Sequence, residues 1–207
     1  MARHSKKLVA RGVSRRGAET REPALKILIV CEGVKTEPAY FKRFPVPKDV
    51  AEVKGVGMDP LRLVQEARKL ARDYRQRTGY SYGQVWCVFD RDEFSLERFR
   101  QALQLAADSK FQIAYSNPAF EIWYLLHFGF SDRPMTRQGC CSSLSVHLGC
   151  PYEKNKSWYS QLLSAQEQAI EYATRLLARY DSHDPANNNP STTVHLLVQE
   201  LRRLYRK

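Results

Sequence analysis

Two short runs with no polar interior residue, Lys26–Cys31 (KILIVC) and Val85–Phe89 (VWCVF), constrain this chain more than any other feature. A strand covered on both faces is apolar at every position, whereas one that is wet on one face alternates. Such runs belong inside a parallel sheet with helices on both sides. The neighbouring patterns agree. Leu61, Val64, Ala67, Ala71 and Tyr74 mark one face of a long helix, and Leu96, Phe99, Leu103 and Ala106 mark another. Thr36-Glu37-Pro38 opens a short helix to about Phe44, with Thr36 as its cap. Val50 to Val56 forms a weaker strand. Phe111, Ile113 and Tyr115 alternate as a half-buried strand, which Asn117-Pro118 ends, and Phe120 to Phe128 reads as a buried helix.

Strand and helix therefore alternate across residues 25–130, which predicts an α/β domain with a largely parallel sheet. Residues 131–160 carry Pro, Ser, Cys and turn formers, and helical patterns return over Ala165–Tyr180 and Thr192–Tyr205. The expected organisation is a flexible basic arm (1–24), an α/β domain (25–130) and a mostly helical C-terminal extension (131–207).

The 207 residues carry 33 Lys/Arg against 22 Asp/Glu, a net +11. Seven Lys/Arg and two acids lie in residues 1–23, and four more basic groups lie between Arg202 and Lys207. A chain this basic suits a polyanion, most simply nucleic acid; the bland alternative is a solvated surface that keeps the protein in solution. No apolar run approaches the roughly 20 residues that span a bilayer, and the N-terminus has no signal-like apolar stretch, so no membrane partner and a cytoplasmic location are expected. The five cysteines, an odd count, do not form a disulfide framework on this reading.

The chemistry concentrates where the two apolar runs end. Ligands of an open parallel sheet bind at the carboxyl ends of its strands. Glu32 follows the first run directly, Asp90 follows the second, and Asp92 lies two residues on. In extended chain, residues i and i+2 face the same way, so Asp90 and Asp92 share a site and Arg91 turns aside. Crowded carboxylates repel unless a cation or a proton intervenes, and Mg²⁺ or Mn²⁺ suits such oxygen ligands. Gly33 allows close passage of the backbone, and Lys35 is placed to meet a phosphate. The competing interpretation makes these acids ordinary loop residues or caps, with Asp92 capping a helix that begins near Ser95.

Val30-Cys31-Glu32-Gly33, followed by Phe89-Asp90-Arg91-Asp92, resembles the Toprim fold: a Glu after its first strand and an Asp-x-Asp after a later one. More specifically, CEGVKTEPAYF (31–41), VWCVFDRDEF (85–94), YSNPAFEIWYLLHF (115–128) and NPSTTVH (189–195) resemble the RloB-like family of Toprim-related proteins, which are associated with phage defence. Val34 departs from the acidic residue expected in that pattern. The resemblance implies a Toprim-like core, Mg²⁺-dependent phosphoryl transfer and nuclease activity in defence.

Weaker features have two readings each. Glu121, at the start of a buried helix, is a further metal ligand or a base for water, or else an acid favoured by the helix dipole. Ser191, Thr192 and Thr193 open a helix whose free N–H groups and hydroxyls could hold a phosphate, or simply cap it. Cys140, Cys141, His147 and Cys150 lack the paired spacing of a zinc site, and His127 and His195 fit helical faces. A haloacid-dehalogenase phosphatase would also place Asp-x-Asp after a strand. Here, however, Phe94 stands where Thr or Val is usual, and Glu32 would go unexplained.

The expectation is thus a nuclease that cleaves RNA or DNA, tRNA among the candidates. Glu32, Asp90 and Asp92 hold the metal, and Glu32, Lys35 and Glu121 take catalytic roles. Lys35, Arg91, Ser191, Thr192 and Thr193 contact nucleic acid. Assembly as a homo-oligomer or within a larger defence complex stays open. The alternative is a non-catalytic nucleic-acid-binding component of such a complex.

Overall fold

The computed structural model describes residues 26–91 and 94–205. The basic arm and Asp92 lie outside the described residues. The elements run β1 (Ile27–Cys31), α1 (Thr36–Phe41), β2 (Ala51–Gly55), α2 (Pro60–Thr78), β3 (Gln84–Asp90), α3 (Leu96–Asp108) and β4 (Gln112–Asn117). They continue with α4 (Glu121–Leu125), α5 (Arg137–Leu148), α6 (Tyr159–Leu162), α7 (Gln166–Leu177), β5 (Ser191–Thr192) and α8 (Val194–Tyr205).

The strands form one sheet in the order β2-β1-β3-β4-β5. The first four are parallel and β5 is antiparallel to β4. The two apolar runs are neighbours, with Ile27 opposite Gln84 and Cys31 opposite Val88. Their continuous apolarity follows from burial on both faces. Ile27, Ile29, Cys31, Trp86 and Val88 join one core cluster, while Leu28, Val30, Val85, Cys87 and Phe89 join the other. Complete burial of a Leu, Ile or Val side chain contributes about 1.5–3 kcal/mol, so these two strands anchor the fold.

Helices α2 and α3 cover one face, through Leu63, Val64, Ala67, Phe99, Ala102 and Ala106. Local chemistry sets their ends. The Asp59 carboxylate accepts from Arg62 N–H and Gly79 closes α2 at φ +78°, while Ser95 caps α3 by accepting from Arg98 N–H. The other face is covered by α1, α4, α5, α7 and α8, whose apolar residues form one cluster with β1, β3 and β4. The helical C-terminal region shares this core and contributes a strand to the sheet.

Several local expectations are corrected. Thr36 does not cap α1, since its hydroxyl donates instead to the Lys154 carbonyl at 3.0 Å. Strand β4 alternates only at its start, and Ala114 to Asn117 are buried on both faces because α8 and β5 close over its end. Residues 137–148, within a stretch read as turns, form a helix capped by the Thr136 hydroxyl and closed by Gly149 at φ +66°. Residues 191–193 lead into α8, with the Thr192 hydroxyl accepting from Val194 N–H at its start, but the first two are strand rather than helix. Ser191 and Thr192 pair with Asn117 and Ser116 as strand β5.

Candidate functional site

The chain leaves β1 towards β2 on one side and returns to β3 on the other, so the strand order switches direction at β1. The crevice at the carboxyl ends of β1 and β3 is where open α/β sheets take ligands. A cleft of about 200 Å³ lies here, lined by Glu32, Glu37, Asp90, Glu121, Lys35, Arg137 and Lys154 among others.

Each acid arrives by its own element. Glu32 extends the β1–β3 ladder by one hydrogen bond, from its N–H to the Val88 carbonyl at 2.8 Å. Its carboxylate then accepts from Asp90 N–H at 3.0 Å, which places the two acids side by side. Asp90 ends β3 and its side chain is 7% exposed. An Arg137 guanidinium nitrogen lies 3.2 Å from its Oδ2. Glu37, in the first turn of α1, folds back so that its carboxylate accepts from Gly33 N–H at 3.2 Å. A Cβ on Gly33 would lie 2.2 Å from a Glu37 carboxylate oxygen, so glycine is required for this approach rather than for a turn. Glu121 begins α4, is buried, and accepts from the Tyr152 hydroxyl at 3.2 Å, with Lys154 Nζ 3.9 Å away.

The electrostatics follow from this crowding. Burial, above all, pushes the Asp90 carboxyl well above the usual aspartate range; Glu37 and Glu32 push it the same way, Arg137 opposes, and Glu121 adds a smaller push. Glu37 is raised chiefly by burial, against its backbone hydrogen bonds. Burial and the Glu121 charge also raise the Tyr152 phenol, which keeps it a donor.

The structure brings Glu32, Asp90, Glu121 and Lys35 to one cleft, and Lys35 stands exposed at its edge. Other expected contacts are not there. Arg91 does turn away from the acids, but its guanidinium donates to the Ala186 and Phe94 carbonyls at 2.9 Å each and lies over the Phe99 ring. It braces the loops that carry those two carbonyls. Ser191, Thr192 and Thr193 are buried with hydroxyls bonded internally, to the Asn188, Tyr115 and Ile113 carbonyls respectively. They fasten α8 to β4 and present no hydroxyl to a phosphate.

Sequence reasoning missed Glu37, Arg137, Tyr152 and Lys154 as members of the site. Glu37 left a trace, as an acid five residues after Glu32 at a helix start. Arg137 and Lys154 left none, because only the folding of the 131–160 region over α4 and α1 brings them in.

Hard carboxylate oxygens suit Mg²⁺ or Mn²⁺. Even so, among the described residues no group of three or more His, Cys, Asp or Glu side chains stands ready to hold an ion. The geometry explains this: Glu32 and Glu37 are turned to main-chain N–H groups and Asp90 is paired with Arg137. The donor chemistry fits a divalent ion, and these rotamers must turn to receive one.

Fold and site together define an α/β protein with an acid-lined, cation-edged cleft at the switch point of its sheet. More particularly, the chain belongs to the RloB-like protein family, whose model matches residues 27–201, from the start of β1 into α8. No curated protein and no solved structure matches the chain.

Proposed function

We propose that this protein is a divalent-metal-dependent nuclease acting on RNA or DNA in anti-phage defence. One observation carries the reading: four carboxylates from separate elements, Glu32, Glu37, Asp90 and Glu121, converge on one cleft with cations at its edge. Burying so much like charge is costly unless a cation or a substrate-handling role compensates. Membership of the RloB-like family and the net +11 support the same reading.

Glu32, Asp90 and Asp92 would hold Mg²⁺ or Mn²⁺, with Glu37 within reach of the same cleft. Such an ion supplies Lewis acidity at the phosphate and lowers the pKa of a water. Lys35 and Lys154 stand where their ammonium groups attract a phosphodiester into the cleft and offset charge that develops on its oxygens. Glu121, held by the Tyr152 hydroxyl, presents a carboxylate that can accept the proton of an attacking water. The second reading, a nucleic-acid-binding component without activity, draws on the net +11 charge alone.

Incubation with tRNA, single-stranded DNA and plasmid DNA in Mg²⁺ or Mn²⁺ separates the two readings. A nuclease cleaves at least one substrate, stops in EDTA and is abolished by Asp90→Asn. Cleavage that survives both EDTA and Asp90→Asn removes this site from the reaction. Salt-dependent binding with no cleavage of any substrate returns the protein to the binding class.

A further inference from the structure

Arg137 is the first residue of α5, a helix with no acid in its first turn. A basic side chain is disfavoured there, because the exposed N–H groups give a helix N-terminus partial positive charge. Tertiary contacts account for its presence. The guanidinium reaches into the cleft to within 3.2 Å of Asp90 Oδ2, and its side chain is only 24% exposed. The strap that delivers it is fastened at several points. The Asn189 side-chain amide donates to the Met135 carbonyl at 2.9 Å and accepts from Met135 N–H at 3.1 Å, so it grips that residue as a strand edge would. The Thr136 hydroxyl then accepts from Gly139 N–H to start the helix, and Cys140 and Leu144 bury its inner face in the shared core.

Asp90 belongs to the proposed metal centre, and a guanidinium held 3.2 Å from its Oδ2 competes for that carboxylate's charge with any cation bound there. We infer that Arg137 is the resident counter-ion of the metal-free site: a divalent cation displaces its guanidinium from Asp90 and frees it to pair with a substrate phosphate. The inference rests on the metal-dependent reading above. Its physical basis is exchange of one cation for another at a fixed negative site. The guanidinium meets Asp90 through one charge-assisted contact at Oδ2, whereas a small hard ion can be held by several carboxylates at once. Once released, the planar guanidinium can match two oxygens of a phosphodiester. Arg137 thereby holds the site together before binding and contributes to substrate capture afterwards.

Mn²⁺ binding to the full-length, metal-stripped protein tests this by calorimetry, with melting curves in EDTA and in Mn²⁺. Arg137→Gln removes the competing charge, so it should bind Mn²⁺ about ten-fold more tightly than wild type, equivalent to about 1.4 kcal/mol. It should also melt lower than wild type in EDTA and gain more from Mn²⁺. Arg137→Lys keeps the charge and should stay near wild type. Asn189→Ala loosens the strap while retaining Arg137, so it should shift Mn²⁺ affinity in the same direction as Arg137→Gln, and it serves if that variant does not fold. At saturating Mn²⁺, Arg137→Gln should raise KM for nucleic acid more than it lowers kcat. Equal or weaker Mn²⁺ binding by a folded Arg137→Gln overturns the exchange and leaves the metal site intact. Failure of both wild type and Arg137→Gln to bind Mn²⁺ overturns the metal reading and the exchange together.

Discussion

Asp90 shows how one residue can serve a site at a cost to the fold. Its carboxyl is buried beside Glu37 and Glu32, and both burial and those charges favour the protonated form. The folded protein therefore holds that proton more tightly than the unfolded chain does. The sign is clear: ionised Asp90 destabilises the metal-free fold at neutral pH. The penalty fades as the pH falls towards the ordinary aspartate value of about 3.9. Asp90→Asn should accordingly raise the melting temperature in EDTA near pH 7.5, and the gain should shrink towards pH 4. A variant that melts at or below wild type at pH 7.5 would show that the Arg137 pair outweighs the crowding. Glu37 works under the same pressure, and Gly33 is the accommodating neighbour that lets its carboxylate fold back.

Among the elements, β5 is short and carries more than its length suggests. Its two residues extend the sheet beyond β4, and the Thr192 hydroxyl donates to the Tyr115 carbonyl, pairs with Ser116 Oγ and accepts from Val194 N–H at the start of α8. Thr192→Val keeps the shape but leaves the Val194 N–H and the Ser116 hydroxyl without this partner, while the Tyr115 carbonyl keeps the Thr193 N–H; leaving such buried groups unsatisfied costs about 1–3 kcal/mol. The denaturation midpoint should fall by that amount, while nucleic-acid affinity and turnover per folded molecule stay unchanged. A phosphate-binding role for this segment predicts the reverse, a large loss of affinity with little loss of stability. The strap from Met135 to Arg137 shows the same principle: Asn189, from the NPSTT stretch, secures a distant residue of the cleft rather than touching it.

For the whole molecule, two buried histidines govern the response to acid. His127 sits under α4 with Nδ1 2.9 Å from the Trp123 carbonyl, and His195 is buried at the start of α8. Burial lowers the pKa of each to about 4. Because the folded value lies below the free one, their neutral forms contribute stability that is complete above about pH 6.5 and is lost as the pH falls towards 4. The unfolded chain takes up two protons that the native state refuses. Imidazole NMR signals of both residues should remain neutral in the folded protein down to about pH 5, and replacing either with Gln should flatten the acid limb of stability against pH. A ring that titrates near 6.5 in the folded protein would refute this. Among the described residues, no helix is long and apolar enough to cross a membrane.

What the amino-acid sequence determined by itself was whatever depends on local pattern. Continuous apolarity in KILIVC and VWCVF specified strands buried on both faces, and acids directly after them could only emerge at the carboxyl ends of a parallel pair. Glu32 and Asp90 were legible for that reason, as was the family resemblance that rests on the same segments. What only the tertiary structure decided depends on contacts between segments far apart in the chain. Arg137 comes 47 residues after the Asp90 it meets, and Tyr152 comes 31 after Glu121. The hydroxyls of Thr192 and Thr193 looked like free donors until β4 took them up, and that of Ser191 until the Asn188 carbonyl did. Arg91 looked like a phosphate ligand, whereas the structure turns its guanidinium to the Ala186 and Phe94 carbonyls. Periodicity reports which face of an element is buried, but not which polar group waits across the interface. That pairing depends on the packing of the whole chain.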